Sequence, residues 1–570
     1  MIKKTLPVFV LPLLLISPLA VSATLTMNGI EGEVRKNVDA YLETISAEDY
    51  STSLRFQARL ERIMTEAVNA LGYYHPEFDF QLINNDQDLQ VDISLGEPVL
   101  VEKADIDITG EAGRDPQFNR LIRESGIVKG ERLNHGQYDA LKSAIQNLAL
   151  QKGYFKGEFT VSRLEVAPDL NQAFIRLHYK SGIRYQFGNT QIVNTHIDPE
   201  RVKSLSPYQA GDAYLASKVG EYNQNLSNTD WFSSVFVEPD LTQLDQQRQL
   251  PMKVTLAPQA RNQIETGIGY ATDVGVRGSL KWKKPWLNSR GHSFDSSFLL
   301  SIPEQTITAS YRIPLEDVLN DYYRVKYGMK KVDKNDTNSL ESNLALERHW
   351  TLDNGWHRTL YIRYLLESYT QGLLDDTGQF VLPGISFSRT RSRGGLMPNW
   401  GDKQSVTVEY GDPAVISETR LVRLLASTAW VRSIGKNHRG VFRLDAGANL
   451  TENFEKLPPS LRFFTGGDNS VRGYGYETIS PKDPSGALAG AKHMVATSLE
   501  YQYRLYGDWW GALFYDVGDA FNEIPELKRG TGFGIRWASP VGPVRFDFAW
   551  GLDAEPKPDF QIHFTLGPEL

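Results

Sequence analysis

The sequence predicts an α+β series of periplasmic repeats followed by an all-β region: three β-α-α-β-β units, then a C-terminal transmembrane antiparallel β-barrel of about 16 strands. Three observations predict it. An apolar leader opens the chain, an aromatic motif recurs three times roughly 80 residues apart, and near residue 260 helical periodicity gives way to alternation.

The leader reads MIKKTLPVFVLPLLLISPLAVSA. Lys3 and Lys4 precede an apolar run from Leu6 to Val21, and Val21-Ser22-Ala23 supplies the small residues at which a signal peptidase cuts. Residues 1–23 are expected to be a signal peptide removed after Ala23. A membrane anchor is the competing reading, but Pro7, Pro12 and Pro18 interrupt a run shorter than the roughly 20 apolar residues that span a bilayer. No such run recurs, so an exported chain is either soluble or embedded as a barrel. At 570 residues with 41% hydrophobic and 23% charged content, the chain can fold several domains. A net charge of -8 without a basic stripe excludes a nucleic-acid partner, and zero cysteines exclude disulfides and thiolate metal sites.

The repeats are GYYHPEF (Gly72 to Phe78), GYFKGEF (Gly153 to Phe159) and DWFSSVF (Asp230 to Phe236). Each follows an amphipathic helix: Leu60, Met64, Ala67 and Leu71 share one face, as do Tyr138, Leu141, Ile145 and Leu148, and Leu215, Val219, Tyr222 and Leu226. Alternating strands such as EFTVSRL and AFIRLHY come after, and strands such as GIRYQFGNTQIVN precede, which gives units at 24–101, 102–183 and 184–258. The aromatic pair of each copy reads as core that seals helix against sheet. An exposed sheet edge could accept an extended chain by strand addition.

Residues 260–570 alternate in segments of about ten. Val495, Thr497, Leu499, Tyr501 and Tyr503 face one way; Ala496, Ser498, Glu500, Gln502 and Arg504 face the other. Val544, Phe546, Phe548 and Trp550 likewise oppose Arg545, Asp547 and Ala549. Aromatic pairs at segment ends, Trp509 with Trp510 and Trp282 with Trp286, suit an interfacial girdle. A single β-sandwich would not use so many residues. Spanning strands of 9 to 11 residues give about 16 strands.

One loop, RFFTGGDNSVRGYGYETISP, sets Arg472 among Gly466, Gly467, Gly473 and Gly475. With three α/β units ahead of a barrel, and with the stretches IETGIGYATDVG, KKPW, SRTRSRGGLMPNWGD, LRFFTGGDNSVRGY and LGPEL, the chain resembles the BamA-like outer-membrane assembly factors with POTRA domains. Within them it is most similar to the barrel subunits of translocation and assembly modules. Five POTRA units would point to BamA itself, and two with a plug helix to a two-partner secretion transporter.

The resemblance implies that Val471, Arg472, Gly473 and Tyr474 fold into the lumen, where Arg472 meets Glu500 and the Asp516 of the strand motif Phe514, Asp516, Gly518. A guanidinium forks to two carboxylates, and Gly473 and Gly475 allow a sharp turn. At the barrel seam, Ile264, Gly267, Gly269 and Tyr270 of the first strand meet Ile562, His563, Phe564 and Leu566 of the last. The glycines weaken the first strand, which makes this seam the expected lateral gate, unless they only relieve crowding in the lumen.

Enzymatic motifs are missing: no G-x-S-x-G, H-E-x-x-H or P-loop occurs, and the ten histidines lack metal-ligand spacing. GTGFGIRW precedes no helix, and an arginine between Glu500 and Asp516 would hold both ionised rather than let them shuttle protons. The reading is a non-enzymatic assembly factor without cofactor or metal, in the outer membrane of a Gram-negative bacterium. By resemblance its partners are a TamB-like inner-membrane-anchored subunit, unfolded outer-membrane barrel and autotransporter substrates, and outer-membrane lipid. A two-partner-type secretion transporter and a passive outer-membrane pore are the alternatives.

Overall fold

The computed structural model describes residues 23–244, 248–271, 275–395, 397–540, 542–554 and 559–566. The expected signal peptide, Ala23 apart, and the terminal GPEL lie outside the described residues. Contacts divide the chain into two compact units. Of the described residues, one comprises those up to Asn189 with those of 208–219 and 239–252; the other comprises those of 190–207, 220–238 and from Lys253 on.

Three small modules open the chain. The first is β1 (Leu25–Asn28), α1 (Gly32–Leu42), α2 (Leu54–Asn69), β2 (Glu77–Ile83) and β3 (Asp88–Ser94). The second is β4 (Leu100–Thr109), α3 (Pro116–Glu124), α4 (His135–Gln151), β5 (Glu158–Ala167) and β6 (Gln172–Lys180). The third is β7 (Gln186–Val193), α5 (Pro199–Lys203), α6 (Ala216–Ser227), β8 (Phe232–Pro239) and β9 (Gln249–Pro258). Each is β-α-α-β-β, with its last strand central: the sheet orders are β1-β3-β2, β4-β6-β5 and β7-β9-β8. The helices start where sequence supplies a cap. Ser53, Asp115, Asn134 and Asp198 each accept a backbone N–H of the first turn, and Pro116 and Pro199 come directly after two of these caps.

The helix faces are buried: Leu60, Met64 and Ala67 in the first module, Tyr138, Leu141 and Ile145 in the second, Tyr222 and Leu226 in the third. Each apolar side chain of this size contributes about 1.5–3 kcal/mol on burial. The aromatic pairs are core, but each pair serves two sites. Tyr73 packs on the first module's core and Tyr74 on the second's, where its hydroxyl is 2.7 Å from Nε2 of His135. Tyr154 belongs to the second core, whereas Phe155 lies 4.9 Å from the Tyr214 ring and 5.9 Å from that of Tyr185. In the third copy Phe232 is buried in its module and the Trp231 indole donates to Gly291 O, on a barrel turn, at 3.1 Å. The repeat thus fastens each module to its C-terminal neighbour.

The third aromatic of the third copy lies outside the core: Phe236 is 59% exposed. β2 and β5 begin five residues into their repeats, but β8 begins at Phe232, directly after Trp231. Starting early, this edge strand turns Val237 inward in place of Phe236.

The barrel begins with β10 (Gln263–Ala271), β11 (Gly275–Lys284), β12 (Ser293–Ser301), β13 (Glu304–Pro314), β14 (Asp321–Lys334) and β15 (Thr337–Thr351). It continues through β16 (His357–Gln371), β17 (Leu374–Arg393), β18 (Trp400–Gly411), β19 (Leu421–Ile434) and β20 (His438–Thr451). After a long loop come β21 (His493–Tyr506), β22 (Trp509–Phe521), β23 (Lys528–Ser539), β24 (Gly542–Gly551) and β25 (Asp559–Leu566). These form one 16-stranded sheet in chain order. Every pair in it is antiparallel, so alternate strands start at the end where the modules join.

Period two holds along β21 and β22 up to the register shift between Arg504 and Tyr506. Leu499, Tyr501 and Leu513 face outward, while Ser498, Glu500, Gln502 and Asp516 are buried within. Two of the expected girdle residues are elsewhere. Trp510 falls on the inward parity of Ala512 and Phe514, under the Arg504 guanidinium at 5.9 Å; its neighbour Trp509 does face outward and stacks on Trp537 at 5.3 Å. Trp286 donates to Gln259 O at 3.0 Å and packs 4.1 Å from His196, because it sits on the turn that receives the third module.

Candidate functional site

The loop between β20 and β21 is built to reach inward. Its base is held by Arg462, a buried guanidinium that donates to the carbonyls of Leu457, Glu455 and Ala489. Two short backbone ladders, Phe463 with Ala491 and Thr465 with Ile479, bring its flanks together. Its tip turns at Gly473, where φ is +90° and an added Cβ would lie 2.5 Å from the backbone of Trp550 and Gly551. Only glycine allows that approach.

Arg472 at the tip is 1% exposed. Asp516 accepts three of its N–H groups: the main-chain N at 3.1 Å, Nε at 2.7 Å and Nη2 at 2.9 Å. Glu500 accepts from Nη1 at 2.7 Å, Ser498 Oγ lies 3.1 Å from Nη2, and the guanidinium stacks on Phe514 at 3.5 Å. The structure therefore brings Arg472, Glu500, Phe514 and Asp516 together. Gly518 supplies room: a Cβ there would lie 2.9 Å from Val471 Cγ2. The Tyr474 hydroxyl accepts from the Asp553 N–H at 3.0 Å.

Sequence reasoning missed the second half of this cluster. Asp547 also faces Arg472 Nη1, at 3.3 Å, and Arg536 bridges Glu500 (2.8 Å) to Asp547 (2.6 Å). Two cations and three carboxylates thus share a site from which water is excluded, each side chain at most 6% exposed. Such a cluster is costly to break, about 3–5 kcal/mol for removing one partner, because the remaining charges stay buried. The signal was present: Arg536 and Asp547 lie on the inward parity of GFGIRW and VRFDFAW.

Ile264, Ile268 and Tyr270 face outward from β10; Ile562 and Leu566 do so from β25. Among the described residues no hydrogen-bonded ladder joins β10 to β25, and the rings of Tyr270 and Phe564 meet across this seam at 6.4 Å. A Cβ on Gly267 or Gly269 would meet only side-chain atoms, of Ser279 and Arg277, so close backbone packing does not require either glycine. Among the described residues β10 covers 9 positions and β25 covers 8. His563 is not at the outer edge. It is buried on the lumenal face, where its Nε2 accepts from the Gly473 N–H at 3.2 Å and its Nδ1 bonds Asp468. Among the described residues no group of three or more His, Asp or Glu side chains is placed to hold a metal ion.

The Omp85 superfamily domain model matches residues 236–569. The chain belongs to the Omp85 superfamily. A second model, for domain 1 of the TamA POTRA domains, matches residues 24–95, which makes this a TamA- and BamA-like Omp85 protein. The outer membrane protein assembly factor BamA of Nitratidesulfovibrio vulgaris is 25% identical over 60% of this chain and 45% of that protein, so the match spans less than half of this relative. BamA of Neisseria meningitidis serogroup B is 20% identical over 90% of this chain and 72% of that protein. In fold, BamA of Haemophilus ducreyi lacking POTRA domains 1–3 superposes with a TM-score of 0.69 at 14% identity, covering 82% of this chain and 99% of that one. In this chain the Omp85 barrel carries an inward loop pinned by Arg472 and a seam between its end strands.

Proposed function

We propose that this Omp85 protein is an outer-membrane assembly factor of the TamA type. Its POTRA modules, at 24–101, 102–183 and 184–258, receive unfolded barrel and autotransporter substrates in the periplasm of a Gram-negative bacterium, the first module lying nearest a TamB-like inner-membrane-anchored partner. The seam between β10 and β25 accepts the incoming strand and opens toward lipid. The observation that carries the reading is the seam itself: among the described residues the end strands meet by the ring contact of Tyr270 with Phe564 and no hydrogen-bonded ladder is formed, beside a loop anchored in the lumen. The inward loop counts against a passive pore, which gains nothing from charges buried in its lumen.

With no native cysteine, Tyr270→Cys with Phe564→Cys creates a single possible disulfide across the seam. Full-length protein in liposomes is followed by protease protection of an added unfolded autotransporter barrel, oxidised and then reduced. Insertion blocked by oxidation and restored by reduction supports the gate. Insertion that proceeds equally through the locked barrel sinks it.

A further inference from the structure

The outer face of β16 to β19 carries arginines stacked on tryptophans at the end where the modules join. Register fixes the parity: Ile385 pairs with Val408 and Phe387 with Val406, and the same outward rows continue to Arg389 with Gln404, Arg391 with Asp402 and Arg393 with Trp400. Arg358 pairs with Phe387, and Arg432 with Trp400. The band thus lies directly below an outward apolar surface that includes Val406, Leu424 and Ile362, each more than a third exposed.

The guanidinium carbons lie over indole rings: Arg358 over Trp350 at 4.5 Å, Arg389 over Trp356 at 4.9 Å, Arg393 over Trp400 at 5.0 Å. A stacked guanidinium has its face covered and its N–H edge available for a planar or tetrahedral anion. Neutralisation is incomplete. Asp402 engages Arg391 at 2.8 Å and Arg432 at 3.7 Å, but among the described residues Arg358, Arg389 and Arg393 pair with no carboxylate. The Nε atoms of Arg358 and Arg389 are buried without any hydrogen-bond partner. The other end of β16 and β17 presents Ser368, Thr370, Asp375 and Thr377 on this outer face, so on these two strands the positive charge belongs to one end.

We propose that this band binds the phosphodiester of an anionic glycerophospholipid from the leaflet at the module end, its acyl chains lying on Phe387 and Val406. Arg389 spends one N–H on Gln404 Oε1 at 3.3 Å, so guanidinia without a carboxylate partner offer phosphate their remaining Nη donors, and the apolar rows above them continue into the lipid. The proposal rests on the barrel being membrane-embedded.

Full-length protein is refolded into phosphatidylcholine vesicles and recovered by flotation. It is then extracted in mild detergent and titrated with phosphatidylglycerol or phosphatidylcholine while bound lipids are counted by native mass spectrometry. The unaltered chain should retain phosphatidylglycerol preferentially. Arg358→Gln, Arg389→Gln and Arg393→Gln together should abolish the preference, at roughly fivefold in apparent affinity per guanidinium, with phosphatidylcholine retention unchanged. The corresponding triple lysine variant should keep part of it. Equal retention of both lipids by the unaltered chain would overturn the site, as would a preference untouched in the glutamine variant or glycerol phosphate competing as well as the lipid. If the triple variant loses the heat-modifiable mobility of a folded barrel, Arg393→Gln alone, at the exposed strand end, gives the same readout. Failure of the unaltered protein to float would instead reject the membrane reading on which the site stands.

Discussion

The main-chain N–H of Gly473 donates to Nε2 of His563 at 3.2 Å. A backbone N–H can only donate, so Nε2 is the acceptor and Nδ1 carries the proton that reaches Asp468. One imidazole on β25 is therefore fixed at two points of the loop that Arg472 pins, and the lumenal cluster and the last strand are a single connected assembly. Thr565, two residues on, adds a hydroxyl bond to Asp468 at 3.2 Å.

His563→Phe keeps the ring volume and removes both bonds. It should raise hydrogen exchange in β25 while leaving β16 to β19 unaltered, and should destabilise the barrel by about 1–3 kcal/mol, the cost of leaving buried groups unpaired. Unchanged exchange in 559–566 would mean that the loop does not hold the strand.

The arginine cluster predicts strong coupling. Arg472→Ala or Asp516→Ala alone should cost about 3–5 kcal/mol, because each strands a buried charge, and the double variant should cost much less than their sum. Urea unfolding read by heat-modifiable mobility measures the cycle. Arg536→Ala should behave like Arg472→Ala, since Glu500 and Asp547 depend on both guanidinia. Additive effects would separate residues that the geometry joins.

Gly530 tests the route by which the loop enters. A Cβ there would collide with the carbonyl oxygen of Arg472. Gly530→Val should expel the tip and make the bond after Arg472 sensitive to trypsin in the folded barrel, where the parent is protected. A resistant variant would show that the loop can shift without leaving the lumen.

Strand parity made much of this legible in the sequence. Glu500, Phe514 and Asp516 could be put on one face because side chains in strands alternate without exception at these positions, and the sixteen strands followed from the length of alternating chain. Partners across the sheet were not legible. Arg536 and Asp547 lie on inward parity like many other residues, and only register brings them to Glu500. The partner of His563 was not legible for the same reason: it belongs to the last strand, and alternation puts it opposite Ile562, Phe564 and Leu566, but only the fold shows that its side chain meets a loop 90 residues away. The aromatic repeat hid its second role because a burial pattern does not say which core a ring enters, and Tyr74 and Phe155 enter the next one.

The second module carries a pH-sensitive cap. Asp115 caps α3 and lies 2.5 Å from Lys152 Nζ. Burial pushes its carboxyl up, but the bond to Lys152 and the Gln117 N–H outweigh this, so it titrates below the ordinary carboxylate range. A carboxyl depressed on folding stabilises the fold above its unfolded pKa, and that contribution disappears as pH falls through the native value. The α3 cap should therefore hold at neutral pH and weaken below about pH 4. In Lys152→Met the main opposing interaction is gone and burial dominates, so the loss should begin at higher pH. Protection factors for residues 116–124, corrected for intrinsic exchange and measured from about pH 3 to 6, report this directly. Identical profiles in parent and variant would show that the Lys152 contact leaves the acid stability of α3 unaffected, and that the cap depends on the Gln117 bond and the nearby Arg184 charge.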